Sequence, residues 1–431
     1  MGVKMNIFVI LTVAISFVLL VTGMPLAIAF AIGSLIIGLT VMGIPLSGIA
    51  GFAFNSINSF PLLACPFFIL AGNLLLRSGG MEYVRDFMQS WFGQMRGGLA
   101  AGAIVIAAFL GAVSGSTAAT LAIMGTIVLP IMVEAGYSRP FSAAVALTGG
   151  ELAWLIPPSL GFILFGALCR VSIADLFLSG IGPGLLTGAF MIVIAIIISR
   201  RRKYPPAPTV GWKGRSTSFV RALPLLFMPI VVLGGIYGGI FSPTESAAVG
   251  CFYTLLIGVF FYRKLNWTGI KESLVDTLKI ACMIYFIIVC ADLFAKMISF
   301  IMLPQAITNL VTNLQLGPIA FLIVMEVFLL AMGFFFSSIA MIVVILPLFM
   351  PTVHQLGIDP VFYGALAMMC VCIGEITPPM GLQLWFAEPI CKVKMGDIMK
   401  ESWVFLAVMT EPIFIVTFVP DIAMFLVNLF K

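Results

Sequence analysis

The chain has 431 residues, 62% of them apolar and only 9% charged, with a mean hydropathy of +1.20 and a net charge of +5. Soluble domains carry about 25% charged residues, so the composition excludes a water-soluble globular protein and predicts an all-α polytopic protein embedded in a lipid bilayer. A single histidine, His354, and eight cysteines scattered mostly through apolar stretches leave no cluster with metal-ligand spacing; Cys370 and Cys372, at i,i+2, face different sides of a helix.

Apolar stretches near the ~20-residue spanning length recur from the start of the chain, at 7–22, 25–42, 189–199, 223–241 and 319–336. Roughly ten spans with re-entrant segments between them are predicted. The first 24 residues lack a small-residue cleavage site and run into a second apolar stretch, which predicts a retained anchor. Segment 54–80 packs Pro61, Pro66, Gly72 and Asn73 into a length that reads as two half-helices. At 114–120 the sequence SGSTAAT interrupts an otherwise apolar run. Seven of the 22 Lys and Arg (Arg200, Arg201, Arg202, Lys203, Lys213, Arg215 and Arg221) fall in one connection, and no acid occurs between Asp175 and Glu245. The positive-inside rule puts that connection in the cytoplasm. Its prolines, Pro205, Pro206 and Pro208, and its place between two membrane halves mark it as a topology-setting linker rather than a nucleic-acid or lipid site. In SPTESAAVG, from Ser242, Glu245 is expected to cap the following helix. Asp292 and Lys296, at i,i+4 within an apolar segment at 279–304, are expected to form a structural ion pair.

An internal repeat organises these pieces. The stretch starting LPIMVEAGYSRP at Leu129 aligns without a gap on the stretch starting MPTVHQLGIDP at Met350, at an offset of 221 (Gly357 minus Gly136). Pro130 falls on Pro351, Pro157 on Pro378 and Pro158 on Pro379, and further back Ser116 and Thr117 fall on Ser337 and Ser338. Each Pro-Pro pair removes two amide donors from a span. The carbonyls freed there cannot face lipid and must be satisfied within protein or by a guest in a cavity. Two halves with matching breaks are the mark of a transporter whose site lies at those breaks, where oxygen ligands suit a hard cation such as Na⁺ and half-helix N-termini suit an anion.

PFFILAGNLL from Pro66, GAVSGSTAAT from Gly111, LIPPS from Leu155, VSIADLFLSGIGPGLL from Val171, PTESAAVG from Pro243 and ITPPMGLQLW from Ile376 occur in order along nearly the whole chain. Together they resemble the large membrane subunit of the tripartite ATP-independent periplasmic (TRAP) transporters. The resemblance implies inverted repeats with re-entrant hairpins, an elevator-type scaffold and transport domain, and Na⁺-coupled uptake of a small organic anion such as a C4-dicarboxylate or sialic acid. It also implies two partners, a small four-helix membrane subunit on a separate polypeptide and a periplasmic substrate-binding protein, and a place in the bacterial inner membrane. The expected division is scaffold at 1–53, a first transport repeat at 54–175, scaffold with the basic linker 200–221 at 176–269, a second transport repeat at 270–395 and a last scaffold helix at 396–431.

Carried over by position, a first Na⁺ site would use Ser114, Ser116, Ala153, Ile156 and Pro158, and a second Ser337, Gly374, Thr377 and Pro379. Asn73, Glu151, Ser159, Glu375 and Gln383 are the candidates for substrate contact. Three positions depart from the family pattern. Glu151 stands in what is usually a Gly-Leu-Gly-like run, Ser337 where an Asp is frequent, and Glu375 where a small apolar residue is usual. An ionisable group at this depth is expensive and functional by default, so Glu151 and Glu375 are candidates for restoring charge, for binding substrate or for carrying a proton. Competing readings are a stand-alone ion-coupled anion symporter of the same superfamily, proton rather than sodium coupling, and a channel. An intramembrane protease is disfavoured, since His354 lies in a polar connection away from the apolar breaks. No nucleic-acid partner is expected.

Overall fold

The computed structural model describes residues 24–206, 210–377 and 381–430 together with Thr12, Ile15 and Leu19. Most of the expected first span, and Pro208, Pro378 and Pro379, lie outside the described residues. Within them every regular element is helical. Eight helices are long and apolar enough to cross a membrane, and the bent pair Trp212–Leu226 and Met228–Tyr237 makes a ninth if taken as one span. These counts are of the described residues, which leave out most of the expected first span; among them, breaks also divide some apolar stretches into shorter helices, such as Gly98–Ser114 and Pro318–Gly333.

One order of elements occurs twice. In the first copy Gly98–Ser114 is followed by Thr117–Glu134, then by Arg139–Gly150 with its short extension Leu152–Leu155, by Leu160–Cys169 and by Ile173–Arg201. In the second, Pro318–Gly333 leads to Ser338–Gln355, Pro360–Glu375, Leu382–Cys391 and Met395–Phe418. Local chemistry sets matching ends. Gly136 and Gly357, separated by the repeat offset, take left-handed turns at φ +89° and +67°, a conformation that costs glycine nothing. A proline then opens the next helix in each copy, Pro140 and Pro360, where its missing N–H is no loss.

Burial separates inner from outer helices. In the apolar window of Arg139–Cys169, 78% of the residues are buried, against 33% for Ile173–Arg201, so the broken spans form the centre and the long unbroken helix lies on the perimeter. Arg139–Gly150 packs between Gly98–Ser114 and Met395–Phe418, while Pro318–Gly333 packs on Pro360–Glu375. The 34-residue helix Trp267–Phe300 gathers Leu26–Ile36, Leu46–Ile57 and Ala64–Arg77 against it, with the Phe30 and Phe294 rings stacked at 4.7 Å.

Segment 54–80 departs from expectation. The chain turns at Asn58 and Ser59, before the short 3-10 turn Phe60–Leu63, and Gly72 and Asn73 sit inside the unbroken helix Ala64–Arg77. Gly72 permits a close approach: a Cβ there would lie 3.0 Å from Ser114 Cβ. Segment 279–304 runs as continuous helix to Phe300. Within it the expected pair forms, Lys296 Nζ lying 2.5 Å from Asp292 Oδ2, and Ser56 Oγ donates to the same carboxylate at 2.5 Å. Glu245 and Ser242 form the reciprocal capping box that the sequence suggests.

Candidate functional site

The first break is built from backbone that glycine and serine make possible. Gly98–Ser114 ends on Gly115 in the left-handed conformation at φ +61°, and Ser116 opens the next helix, its hydroxyl accepting from Ala119 N at 3.4 Å. Ser114 Oγ accepts from Ser116 N at 3.3 Å and lies 3.1 Å from Thr120 Oγ1, which in turn donates to Ser116 O at 2.9 Å. Two hydroxyls and a carbonyl are thus gathered within one turn.

The Pro-Pro break meets this one. Leu160 N donates to Gly115 O at 3.2 Å, and a Cβ on Gly115 would lie 3.4 Å from Pro158 O. Gly111 presses on Ala153 so closely that a Cβ would fall 2.6 Å from Ala153 Cα. Ser114, Ser116, Ala153 and Pro158 are therefore neighbours, although the serines and the prolines are about 40 residues apart in sequence. The Ile156 side chain turns outward and lines an apolar groove of about 610 Å³ with Pro157, Gly184 and Leu226. Ser159 Oγ donates to Trp154 O at 2.8 Å and is fully buried.

The second break repeats the first in part. Ser337 caps its helix by accepting from Ala340 N at 3.4 Å, the counterpart of the Ser116 cap. Gly333 and Gly374 touch backbone to backbone, a Cβ on Gly333 falling 2.2 Å from Gly374 Cα, as Gly111 and Ala153 do. Thr377 Oγ1 donates to Ile373 O, and Thr377 O accepts from Gly381 N at 3.1 Å. Pro379, the remaining member of the expected second site, is outside the described residues.

Between the breaks the two copies touch through equivalent positions. Trp154 Nε1 donates to Glu375 Oε2 at 2.9 Å, and these residues are 221 apart. Cys372 Sγ approaches Glu151 O at 3.5 Å, again across 221 residues. Residues that meet their own counterparts lie on a local two-fold axis. Ser338 and Gln383 sit beside the Glu375 carboxyl, and Gln383 Nε2 donates to Thr117 Oγ1 at 2.6 Å. Glu151 Oε2 and Gln383 Oε1 are buried with no hydrogen-bond partner among the described residues. Neither glutamate pairs with a lysine or arginine there.

Of the candidate substrate contacts, Glu151, Ser159, Glu375 and Gln383 thus share one buried region. Asn73 does not join them: its amide donates to Thr277 Oγ1 at 3.0 Å on the long helix. Trp154, Thr117, Thr120 and Ser338 are not among the candidate site residues of the sequence analysis, although Thr117 and Ser338 are aligned there. The repeat offset held the signal for three of them, because Trp154 aligns with Glu375 and Thr117 with Ser338.

The arrangement is that of a broken-helix transporter, and similarity narrows it further. The family model described as the tripartite ATP-independent periplasmic transporter, DctM component, matches residues 13–422. The chain belongs to this family. Among its relatives, the C4-dicarboxylate TRAP transporter large permease protein DctM of Vibrio cholerae is 35% identical over 444 residues, covering 97% of this chain and 98% of the relative. The isethionate TRAP transporter permease protein DctMQ of Oleidesulfovibrio alaskensis is 35% identical over 415 residues, 94% of this chain but 64% of that protein's length. The solved YdaH transporter of Alcanivorax borkumensis shares the fold at a TM-score of 0.61 and 14% identity, over 86% of this chain and 87% of the other. The chain is a multi-pass TRAP permease of the bacterial inner membrane and not an enzyme.

Proposed function

We propose that this permease carries out Na⁺-coupled uptake of a small organic anion by an elevator movement. In this reading it acts together with a small four-helix membrane subunit and a periplasmic substrate-binding protein. The observation that carries the reading is the bond from Leu160 N to Gly115 O, because it joins the two breaks into one oxygen-rich locus. Ser114 Oγ, Ser116 Oγ, Thr120 Oγ1 and the carbonyls of Ser116 and Pro158 are hard, uncharged donors, the chemistry that a small alkali cation takes. Ser114, Ser116, Ala153, Ile156 and Pro158 would hold one ion, and Ser337, Gly374, Thr377 and Pro379 a second. Bound cations supply positive charge at the helix tips, which no lysine or arginine among the described residues supplies there. Permeases in the family are named for C4-dicarboxylates, isethionate, ectoine and sialic acid, so the solute here is a carboxylate or a similarly small polar anion.

The test is uptake into proteoliposomes under an imposed Na⁺ gradient, with and without the small subunit and the solute-loaded binding protein. Saturable uptake is expected only with all three components and only with the gradient. Uptake by the isolated chain would favour a stand-alone symporter.

Proton coupling is a second reading, favoured by the two buried glutamates that no cationic side chain among the described residues neutralises. A Glu151→Gln variant separates the two. Under proton coupling it shifts the pH dependence of uptake, while Ser116→Ala leaves the Na⁺ dependence unchanged.

A further inference from the structure

Between the two breaks, polar side chains from both copies form a closed circuit of contacts. Gln383 Nε2 donates to Thr117 Oγ1 at 2.6 Å. Gln383 and Ser338 lie beside the Glu375 carboxyl, whose Oε2 accepts from Trp154 Nε1, and Glu375 is within electrostatic reach of the Glu151 carboxyl. The residue before Glu151 leads back to the start, since a Cβ on Gly150 would lie 3.6 Å from Thr117 O. Thr117, Glu151, Ser338, Glu375 and Gln383 are each at most 4% exposed. Glu151 Oε2 and Gln383 Oε1 accept no hydrogen bond from the described residues, and no lysine or arginine among those residues pairs with either carboxyl.

Both unpartnered atoms are acceptors, so the missing group is one that acceptors bind. A water would bring hydrogens but no charge, and a proton on one carboxyl would leave the other charged where an uncompensated charge is costly. A cation answers both needs. The oxygens on offer are the two carboxylates, the Gln383 amide oxygen and the hydroxyls of Thr117 and Ser338, all hard donors. Thr117 and Ser338 are 221 residues apart, so each copy supplies one hydroxyl from the same position. A divalent ion is the poorer fit: it takes about six to eight oxygens, and no group of three or more acidic, histidine or cysteine side chains suited to a metal occurs among the described residues.

We infer that Glu151, Glu375, Gln383, Thr117 and Ser338 form a third cation site, for a monovalent alkali ion, between the two sites proposed at the breaks. It shares no ligand with either of them, and it holds its ion by side chains that the two copies contribute jointly. Its carboxylates stand at two of the positions where this chain departs from the family pattern, so the site belongs to this chain and to relatives that share both acids. It does not rest on the assignment of the other two ions.

The test counts radioactive Na⁺ bound to the purified full chain in nanodiscs, with choline holding the ionic strength constant, and follows thermal stability over the same titration. Glu151→Gln keeps the size of the side chain and removes its charge. It is expected to weaken one ion roughly 10- to 150-fold, so that the wild-type chain binds one ion more than the variant. Gln383→Met, which keeps the length and removes the oxygen, is expected to weaken the same ion and serves should Glu151→Gln not fold. Ser116→Ala/Ser337→Ala is expected to keep the Glu151-dependent ion; its loss there would assign that ion to the breaks and overturn the inference. Glu151→Gln and Gln383→Met chains that bind as many ions as the wild type, with the same affinity, overturn it too. So do variants that differ from the wild type only in how stability depends on pH, which would put a proton in place of the ion. The readout is binding, so a chain that holds this ion yet takes up solute without a Na⁺ gradient sinks the proposed coupling and leaves the site standing.

Discussion

Trp154→Phe keeps an aromatic ring between the two copies but deletes the N–H that reaches Glu375 at 2.9 Å. A buried acceptor is then left without its donor, so thermal unfolding in detergent is expected to show a loss of about 1–3 kcal/mol. Trp91→Phe removes a comparable bond, to Arg215 O at 3.2 Å, from an exposed position, and is expected to cost less than about 0.5 kcal/mol. Equal losses would mean that the Glu375 contact carries no special weight. Ser116 has two roles that one substitution separates. As a cap, its hydroxyl is worth about 1 kcal/mol of stability. As an ion ligand, it is worth about 1.5–3 kcal/mol, so Ser116→Ala is expected to weaken Na⁺ roughly 10- to 150-fold in three-component uptake, recoverable at higher Na⁺. Ser337→Ala tests the second break in the same way. A variant that loses stability yet keeps its Na⁺ dependence assigns the hydroxyl to capping alone.

The helix pair Pro318–Gly333 and Pro360–Glu375 approaches closely because Gly333 and Gly374 have no side chains. Gly333→Ala would place a methyl 2.2 Å from Gly374 Cα, against backbone that cannot rotate away, and a loss of about 1–3 kcal/mol or more is expected in thermal unfolding. Gly234, in Met228–Tyr237, faces open space, so Gly234→Ala is expected to be neutral or to gain up to about 1 kcal/mol from helix propensity. Gly72 teaches the same lesson about reading sequence. A glycine that breaks a helix and a glycine that lets a neighbour approach are the same letter, and Gly72 was misread because the neighbour, Ser114, arrives from another helix. The Pro157-Pro158 break, the Ser242–Glu245 box and the Asp292–Lys296 pair are legible because their partners are local or repeated at a fixed offset. The engagement of Asn73 by Thr277 is not, since it needs two segments about 200 residues apart in sequence to be brought together by the fold.

At the scale of the whole chain, the basic connection carries an orientation. Arg202 forms a bidentate pair with Glu401 at 2.9 and 2.8 Å, which holds the guanidinium well above its ordinary pKa and ties the connection to Met395–Phe418. Lys213, exposed beyond it, is expected to react with a membrane-impermeant amine reagent in inside-out vesicles and not in intact spheroplasts; labelling in spheroplasts would reverse the orientation of every helix. The contact between Trp154 and Glu375 also bears on how such a chain can arise. In a symmetric pair of separate, identical subunits, a side chain on the axis meets its own copy: glutamate would face glutamate, with no donor between them, and tryptophan would face tryptophan. Once both halves are encoded in one polypeptide, the two positions can mutate independently, and one can become the donor the other lacks. The asymmetry at this position is thus available only once the two copies are encoded separately, as they are within this chain, and replacing Trp154 with its counterpart's residue, Trp154→Glu, would put two carboxyls in one buried place.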